Sequence, residues 1–226
     1  MAVDRHISPR RAPLYTSAST RGRLTGGGTT GNERLTAVTG AVLIGLLAVL
    51  GVTILRIRPL LSVHLFVGML LIPPVLLKLT STGYRFIRYY TSNPAYRRKG
   101  APPAFLRMLA PLVVLSTTVV LASGVALLFV GPSSRDTLLP IHKVSFFIWL
   151  ALTALHVVGH LPGLPDTLRA DFTRSTALGG HRPAAGRDGR MLALAGAIVA
   201  GVVLAILVIP EFNAWVHFYS QLHGHG

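Results

Sequence analysis

Five long apolar segments dominate the chain, and segments rich in arginine, proline and glycine separate them. A helix needs roughly 20 consecutive apolar residues to cross the hydrocarbon core of a bilayer, because each residue advances the helix by about 1.5 Å. No acidic residue falls within the five segments, which run over residues 35–55, 60–82, 108–130, 138–161 and 191–209. The pattern predicts an all-α integral membrane protein, built as a bundle of five transmembrane helices.

The composition agrees with this pattern and limits the chemistry that the chain supports. Hydrophobic residues make up 51% of the 226 residues and the mean hydropathy is +0.57, which is more apolar than a water-soluble core would bury. The sequence has no cysteine. This excludes disulfides, thiolate metal sites, iron–sulfur clusters and covalently attached c-type haem, so any redox centre needs other ligands.

Positive charge is distributed unevenly between the segments that join the spans. Of the 22 arginine and lysine residues, 17 lie before the first span, between the second and third spans, or between the fourth and fifth, all on one side. Four lie on the opposite side. By the positive-inside rule we expect a multi-pass protein of the cell membrane with a cytoplasmic amino terminus and an extracytoplasmic carboxyl terminus. Topology thus accounts for the net charge of +15, and no nucleic-acid partner is predicted.

Three regions are predicted along the chain. Residues 1–33, with a run of three glycines and scattered arginine, serine and proline, are expected to form a disordered basic cytoplasmic tail. Residues 34–210 contain the five spans and form the transmembrane bundle. Residues 211–226 are expected to form an extracytoplasmic tail whose three histidines bind metal ions only adventitiously.

Two histidines occupy equivalent positions in two parallel spans. His64 lies about five residues into the second span and His142 about five residues into the fourth, and both spans start from the outer side. The two imidazoles are therefore expected at nearly the same depth, within the outer leaflet. A neutral imidazole donates the lone pair of one ring nitrogen to iron. Such a facing pair in a helical bundle is therefore the arrangement that axially ligates a b-type haem.

A second pair of residues repeats this spacing nearer the cytoplasmic side. Lys78 follows His64 by 14 residues, and His156 follows His142 by the same number. Fourteen residues are close to four helical turns, so the members of each pair share one helix face and lie about 21 Å apart. One outer haem is favoured, because a lysine has to lose its proton before it can ligate iron. An additional inner haem on Lys78 and His156 is the alternative.

These histidine positions and the number of spans give the chain a family resemblance. Histidine pairs about 14 residues apart on the second and fourth helices resemble those of membrane cytochromes b, the class of bacterial cytochrome b561 and the cytochrome subunits of Ni-Fe hydrogenase and formate dehydrogenase. The resemblance covers roughly residues 35–210 and departs from the family pattern at Lys78. It implies a four-helix core that holds two haems b and passes electrons between quinone and a redox partner.

Several further residues are candidates for contacts with such a haem. Gly68 and Gly124 would let a flat macrocycle approach a helix backbone, and Trp149 lies seven residues after His142 on the same stripe. Cations near the outer surface would pair with haem propionates. Three such cations are present, namely Arg56, Arg58 and Lys143. Packing and membrane topology also account for residues of these types.

The sequence favours an electron-transfer function. The leading hypothesis is a membrane b-type cytochrome that relays electrons between a membrane donor, such as quinol, and a redox partner, as the anchor subunit of an oxidoreductase complex. Substrate turnover is then expected in the partner, and no catalytic residue is predicted in this chain. The alternatives are a small metal or proton transporter that uses His64, His142 and His156, and a purely structural membrane anchor. The absence of carboxylates from the spans weighs against the transporter.

Overall fold

The computed structural model describes residues 27–98, 103–161 and 186–221. A 3-10 turn over Pro132–Ser134 leads into the fifth of the α-helices that these residues form. The helices are numbered here in chain order as α1 Gly28–Leu55, α2 Leu61–Tyr90, α3 Pro94–Arg98, α4 Ala104–Val130, α5 Arg135–His160, α6 Arg187–Leu207 and α7 Ile209–Gln221. No strand occurs in the described part of the chain, in agreement with the all-α prediction.

Five of these helices are long and apolar enough to cross a membrane. They are α1, α2, α4, α5 with its preceding turn, and α6, so that each predicted span corresponds to one helix. Large apolar side chains on these helices remain exposed, including Leu55 (84%), Met108 (74%) and Leu207 (70%). Helices surrounded by lipid show this pattern. The prediction of an all-α chain with five helices of membrane-spanning length is confirmed, and the structure is compatible with a multi-pass membrane protein.

The helices extend beyond the apolar segments that predict them. α1 begins at Gly28, within the segment predicted to be a disordered tail, and residues 1–26 lie outside the described residues. α2 continues through Pro73 and Pro74 and ends at Tyr90, eight residues past the predicted end of its span. Two contacts between α1 and α2 stabilise the added turns: Nδ2 of Asn32 donates a hydrogen bond to the carbonyl of Ser81 at 3.0 Å, and Glu33 forms a salt bridge with Arg85 at 3.4 Å. The hydropathy of a segment contains no information on such contacts between helices.

The long helices pack as two groups. α2 packs between α1 and α6, and α2 and α6 approach so closely that a Cβ atom at Gly201 would overlap the backbone carbonyl of Leu70. α4 and α5 pack against each other, with Gly159 of α5 against the side chain of Leu106. Contacts between α2 and α4 are sparse. The two groups meet in a buried apolar cluster that includes Leu70 of α2 and Leu128 of α4, and they leave a cavity between them.

Most of the predicted carboxyl-terminal tail is a packed helix. Residues 209–221 form α7, and the buried indole of Trp215 donates a hydrogen bond from Nε1 to a backbone carbonyl of α4 at 3.1 Å. A 13-residue helix is too short to be recognised as a span, so hydropathy alone predicts a tail here. His217 is exposed on α7, whereas His223 and His225 lie outside the described residues.

Candidate functional site

A large cavity lies between the two groups of helices. It has a volume of about 1920 Å³, and mostly apolar side chains from α1, α2, α4 and α5 line it. Trp215 and Tyr219 of α7 also contribute to the lining. A drug-sized ligand occupies a pocket of roughly 300–1,000 Å³. The cavity therefore has room for a large cofactor together with a second ligand.

One end of the cavity, called the His64 end below, is formed by His64 of α2 and His142 of α5. Both imidazoles line this cavity. Since α2 and α5 belong to different helix groups, the two rings approach the cavity from opposite sides. The structure thus brings together the two histidines that the sequence predicts as a pair.

A buried hydroxyl group on a neighbouring helix holds each imidazole. Nδ1 of His64 lies 2.9 Å from Oγ1 of Thr53 on α1, and Nδ1 of His142 lies 3.0 Å from Oγ of Ser123 on α4. Thr53 is 2% exposed and Ser123 is 8% exposed. Each histidine is therefore oriented by the helix that precedes its own, through the same ring nitrogen.

The hydrogen bonds of these hydroxyl groups favour one tautomer of each imidazole. A hydroxyl has one proton to donate. Thr53 donates its proton to the carbonyl oxygen of Leu50 at 2.6 Å, and Ser123 donates to that of Val120 at 3.0 Å. Each hydroxyl oxygen is therefore an acceptor for Nδ1–H of its imidazole. In the neutral ring this leaves the lone pair on Nε2. The imidazole of His142 also interacts with the backbone carbonyl of Val120, the carbonyl to which Ser123 donates.

The two glycines near the histidines have different surroundings. A Cβ atom at Gly124 would lie 3.0 Å from Cε1 of His142. The missing side chain at this position therefore gives space to the imidazole itself, rather than to a macrocycle as the sequence predicts. Gly68 lines the cavity, and a Cβ atom there would meet nothing within 4 Å. Open space beside α2 is thus present at Gly68.

Aromatic side chains of α5 form part of the cavity wall. Trp149 donates a hydrogen bond from Nε1 to Oγ1 of Thr117 on α4 at 3.0 Å. Its ring lies 6.0 Å from that of Phe146, at an interplanar angle of 33°, and both rings line the cavity. The bond between α5 and α4 fixes the indole at the wall, which agrees with the position expected from its spacing to His142.

The opposite end of the cavity, called the Lys78 end below, is lined by Lys78, Arg85, His156 and His160. The Nζ atom of Lys78 donates a hydrogen bond to the backbone carbonyl of Thr36 on α1 at 2.7 Å. A Cβ atom at Gly40 would lie 3.0 Å from this nitrogen. The lysine side chain therefore extends along α1, and both Lys78 and His156 line the cavity.

His156 lacks the hydroxyl partner that His64 and His142 have. Its Nδ1 atom is buried and makes no hydrogen bond to the residues that the structure describes. Its ring contacts that of His160, with centroids 4.7 Å apart. The structure thus brings Lys78 and His156 to the same end of the cavity, but it engages the lysine amine with a carbonyl oxygen and leaves the tautomer of His156 unspecified.

The three cations predicted to lie near a haem are not equivalent. Lys143 is exposed and lines the cavity. Arg56 and Arg58 are exposed in the turn after α1, and neither belongs to the described residues that line the cavity. Of the three, Lys143 is the cation placed to contact a group bound inside.

The sequence does not reveal Thr53 and Ser123 as partners of the histidines. They precede His64 and His142 by 11 and 19 residues. Because the two separations differ, they do not form a recognisable sequence motif. Hydroxyl residues are also frequent in these spans. Only the packing of α1 on α2 and of α4 on α5 brings each hydroxyl to its imidazole.

The described residues contain no group of three or more histidine, aspartate or glutamate side chains disposed to hold a metal ion. A haem iron takes at most two axial ligands from the protein, so this finding does not bear on the predicted histidine pair. No protein-family model, curated protein or solved structure matches this chain.

Proposed function

We propose that this protein is a membrane b-type cytochrome in which His64 and His142 are the axial ligands of one haem b. It lies in the cell membrane with its amino terminus in the cytoplasm and its carboxyl terminus outside. It relays electrons between a membrane donor, such as quinol, and a redox partner protein. In this role it is the anchor subunit of an oxidoreductase complex, and substrate turnover takes place in the partner.

The matched pair of hydroxyl–imidazole hydrogen bonds carries the proposal. Histidines that ligate a metal usually donate their other ring N–H to an oxygen, which fixes the tautomer and the ring orientation. Thr53 and Ser123 accept this bond from His64 and His142, and their own protons are committed to backbone carbonyls. Both imidazoles therefore have Nε2 available for a ligand. A buried histidine with a purely structural role usually has a partner for its second nitrogen as well.

The cavity beside the histidines fits the size and polarity of a haem. Its volume of about 1920 Å³ is ample, and its lining is mostly apolar, as a macrocycle requires. Open space lies next to Gly68, four residues after His64 on the same helix. Lys143 at this end supplies a cation for a propionate group.

When bound, haem b supplies reversible one-electron chemistry. The residues of this chain hold the haem and adjust its surroundings. His64 and His142 bind the iron, Thr53 and Ser123 hold the imidazoles in position, and the apolar wall limits access of water. Ligand identity, hydrogen bonding to the ligands and burial are the main factors by which a protein adjusts the reduction potential of a haem.

A single haem is favoured over two because the two ends of the cavity differ. At the Lys78 end the amine donates to the carbonyl of Thr36, and a lysine has to be deprotonated before it can bind iron. No hydroxyl of the described residues orients His156. An inner haem on Lys78 and His156 would require both side chains to change their interactions.

The transporter alternative has weaker support. A path for protons or metal ions needs a series of polar groups through the membrane. Between the two ends of the cavity, α2 contributes mainly apolar side chains to the lining, such as Leu71 and Val75. Such a wall suits an apolar cofactor better than a hydrated ion.

The experiment that tests the proposal is a visible spectrum of the full-length protein, purified in detergent from cells with an ample haem supply. We expect a reduced-minus-oxidised spectrum of the b type, and one haem per chain by pyridine haemochrome quantitation. A folded protein without haem would contradict the proposal and favour the transporter. Two haems per chain would contradict the single site and assign Lys78 and His156 to the second.

A further inference from the structure

The Lys78 end of the cavity carries an excess of positive charge. Lys78, Arg85 and the imidazoles of His156 and His160 line it, and Glu33 is the carboxylate among the described residues that line the same cavity. Glu33 forms a salt bridge with Arg85 at 3.4 Å. Within the described residues no carboxylate lies within salt-bridge distance of Lys78, whose hydrogen bond goes to the neutral carbonyl of Thr36.

A cation in this position calls for a negative partner. Burying a charge inside a membrane protein costs free energy unless the charge is paired, and such a charge usually marks a site for an ion or a ligand. The buried Nδ1 of His156 also lacks a hydrogen-bond partner in the described residues. An anionic oxygen of a ligand would compensate the charge of Lys78 and satisfy His156 together.

The surroundings indicate that such a ligand is an amphiphile. The cavity continues from Lys78 along apolar residues such as Val75 and Leu79. Near the same end, Phe86 is 59% exposed and Phe105 is 61% exposed, as expected for side chains that face lipid. Basic pockets between membrane helices bind the head groups of anionic lipids.

We propose that the Lys78 end binds the phosphate head group of an anionic phospholipid, with an acyl chain lying along the apolar wall of the cavity. The head group accepts hydrogen bonds from Lys78 and His156, and Arg85 adds long-range attraction. Because Lys78 lies 14 residues after His64, about 21 Å away along α2, this site is separate from the pair His64 and His142. The inference does not depend on whether a haem binds there.

Lipid binding to the delipidated full-length protein tests this inference, with titration by phosphatidylglycerol or phosphatidylcholine and detection by native mass spectrometry. The variant is Lys78→Met, which removes the charge but retains much of the length. The control is Arg58→Met, because Arg58 is an exposed cation that does not belong to the described lining of the cavity. Lys78→Arg restores the charge if the methionine variant is unstable. Haem is quantified in every sample, so a failure here is distinguishable from a failure of the proposed cytochrome function.

We expect the wild type, Arg58→Met and Lys78→Arg to bind phosphatidylglycerol about tenfold more tightly than phosphatidylcholine, a typical effect of one charge-assisted contact. Lys78→Met should lose this preference. An unchanged preference in Lys78→Met would overturn the inference. Displacement of the lipid by equimolar inorganic phosphate would overturn it in favour of a free-anion site. A second haem that disappears in Lys78→Met would overturn it in favour of an inner haem.

Discussion

The two ends of the cavity share a sequence pattern but differ in chemistry. At the His64 end, the histidines of α2 and α5 each form a hydrogen bond with a hydroxyl group. Each hydroxyl donates its own proton to a backbone carbonyl. At the Lys78 end, the equivalent position on α2 is a lysine that bonds to a backbone carbonyl. His156 on α5 has no hydroxyl partner among the described residues. The 14-residue spacing is thus the same on both helices, yet only one end has two oriented imidazoles.

This difference indicates that the spacing of residues along a helix is a weaker criterion for a haem site than the hydrogen-bond partner of the imidazole Nδ1 atom. A shared helix face brings two residues to the same cavity, as it does for His64 and Lys78 on α2. A hydrogen bond donated by Nδ1–H then makes the lone pair of Nε2 available and holds the ring in place. The contrast gives four predictions, which follow from the largest expected effect to the smallest.

Replacing either histidine at the His64 end should have the largest effect. His64→Ala or His142→Ala removes an axial ligand, so the haem content of the purified protein should fall by at least about tenfold. Pyridine haemochrome quantitation per chain measures this. His156→Ala is the matched control, because it removes an imidazole of α5 from the same cavity. A loss of haem in the control but not in the two variants would reverse the assignment of the ends.

Removing a hydroxyl partner should weaken the site without abolishing it. Thr53→Val or Ser123→Ala frees Nδ1 of the imidazole and allows the ring to change tautomer or rotate. Loss of such an orienting bond typically lowers metal affinity by about 10–100-fold, and haem transfer to an acceptor protein measures it. Thr118→Val is the control, since that exposed hydroxyl bonds only to a carbonyl of its own helix at 3.0 Å. Equal haem retention in all three variants would mean that the hydroxyls do not position the ligands.

A methyl group at Gly124 should have a smaller effect on the same end. The added Cβ would lie 3.0 Å from Cε1 of His142, which is closer than an ordinary contact, so the ring has to shift. Overpacking of this kind costs about 1 kcal/mol, which corresponds to about a fivefold loss of haem affinity. Gly45→Ala is the control, because a Cβ atom there meets nothing within 4 Å. An identical midpoint potential and affinity in Gly124→Ala would show that His142 is not confined at this position.

The smallest effect is expected at the Lys78 end. Lys78→Met should leave the haem content at the wild-type value, because the lysine lies about 21 Å from His64 along α2. It should also leave the absorption maxima of the reduced protein unchanged. If the variant lost half of a two-haem content, the two ends of the cavity would be equivalent after all, contrary to the comparison.

The architecture was largely accessible from the sequence, because the length of an apolar segment is a direct physical requirement for crossing a bilayer. Each of the five predicted spans corresponds to a helix. The helix α7 was not accessible in this way. Its burial depends on Trp215, which bonds to a carbonyl of α4 that is 88 positions away, and local hydropathy contains no information on such a contact.

The candidate site was accessible only in part. His64 and His142 stand out because ionisable residues are rare inside spans, and their matched depths predict that they face each other. Thr53 and Ser123 do not stand out, since a hydroxyl in a span usually bonds to its own helix, as Thr118 does. The contact of Lys78 with Thr36 likewise results from the packing of α1 on α2. The sequence alone therefore leaves open whether Lys78 is a ligand.

The central claim is that two imidazoles, from His64 and His142, ligate the iron. Near-infrared magnetic circular dichroism of the oxidised wild-type protein tests it most directly, because the energy of the low-spin charge-transfer band depends on the axial ligands. We expect the band of bis-imidazole ligation. A band that indicates imidazole–amine ligation would assign the haem to His156 and Lys78, and a high-spin spectrum would show that the two histidines do not bind the iron together.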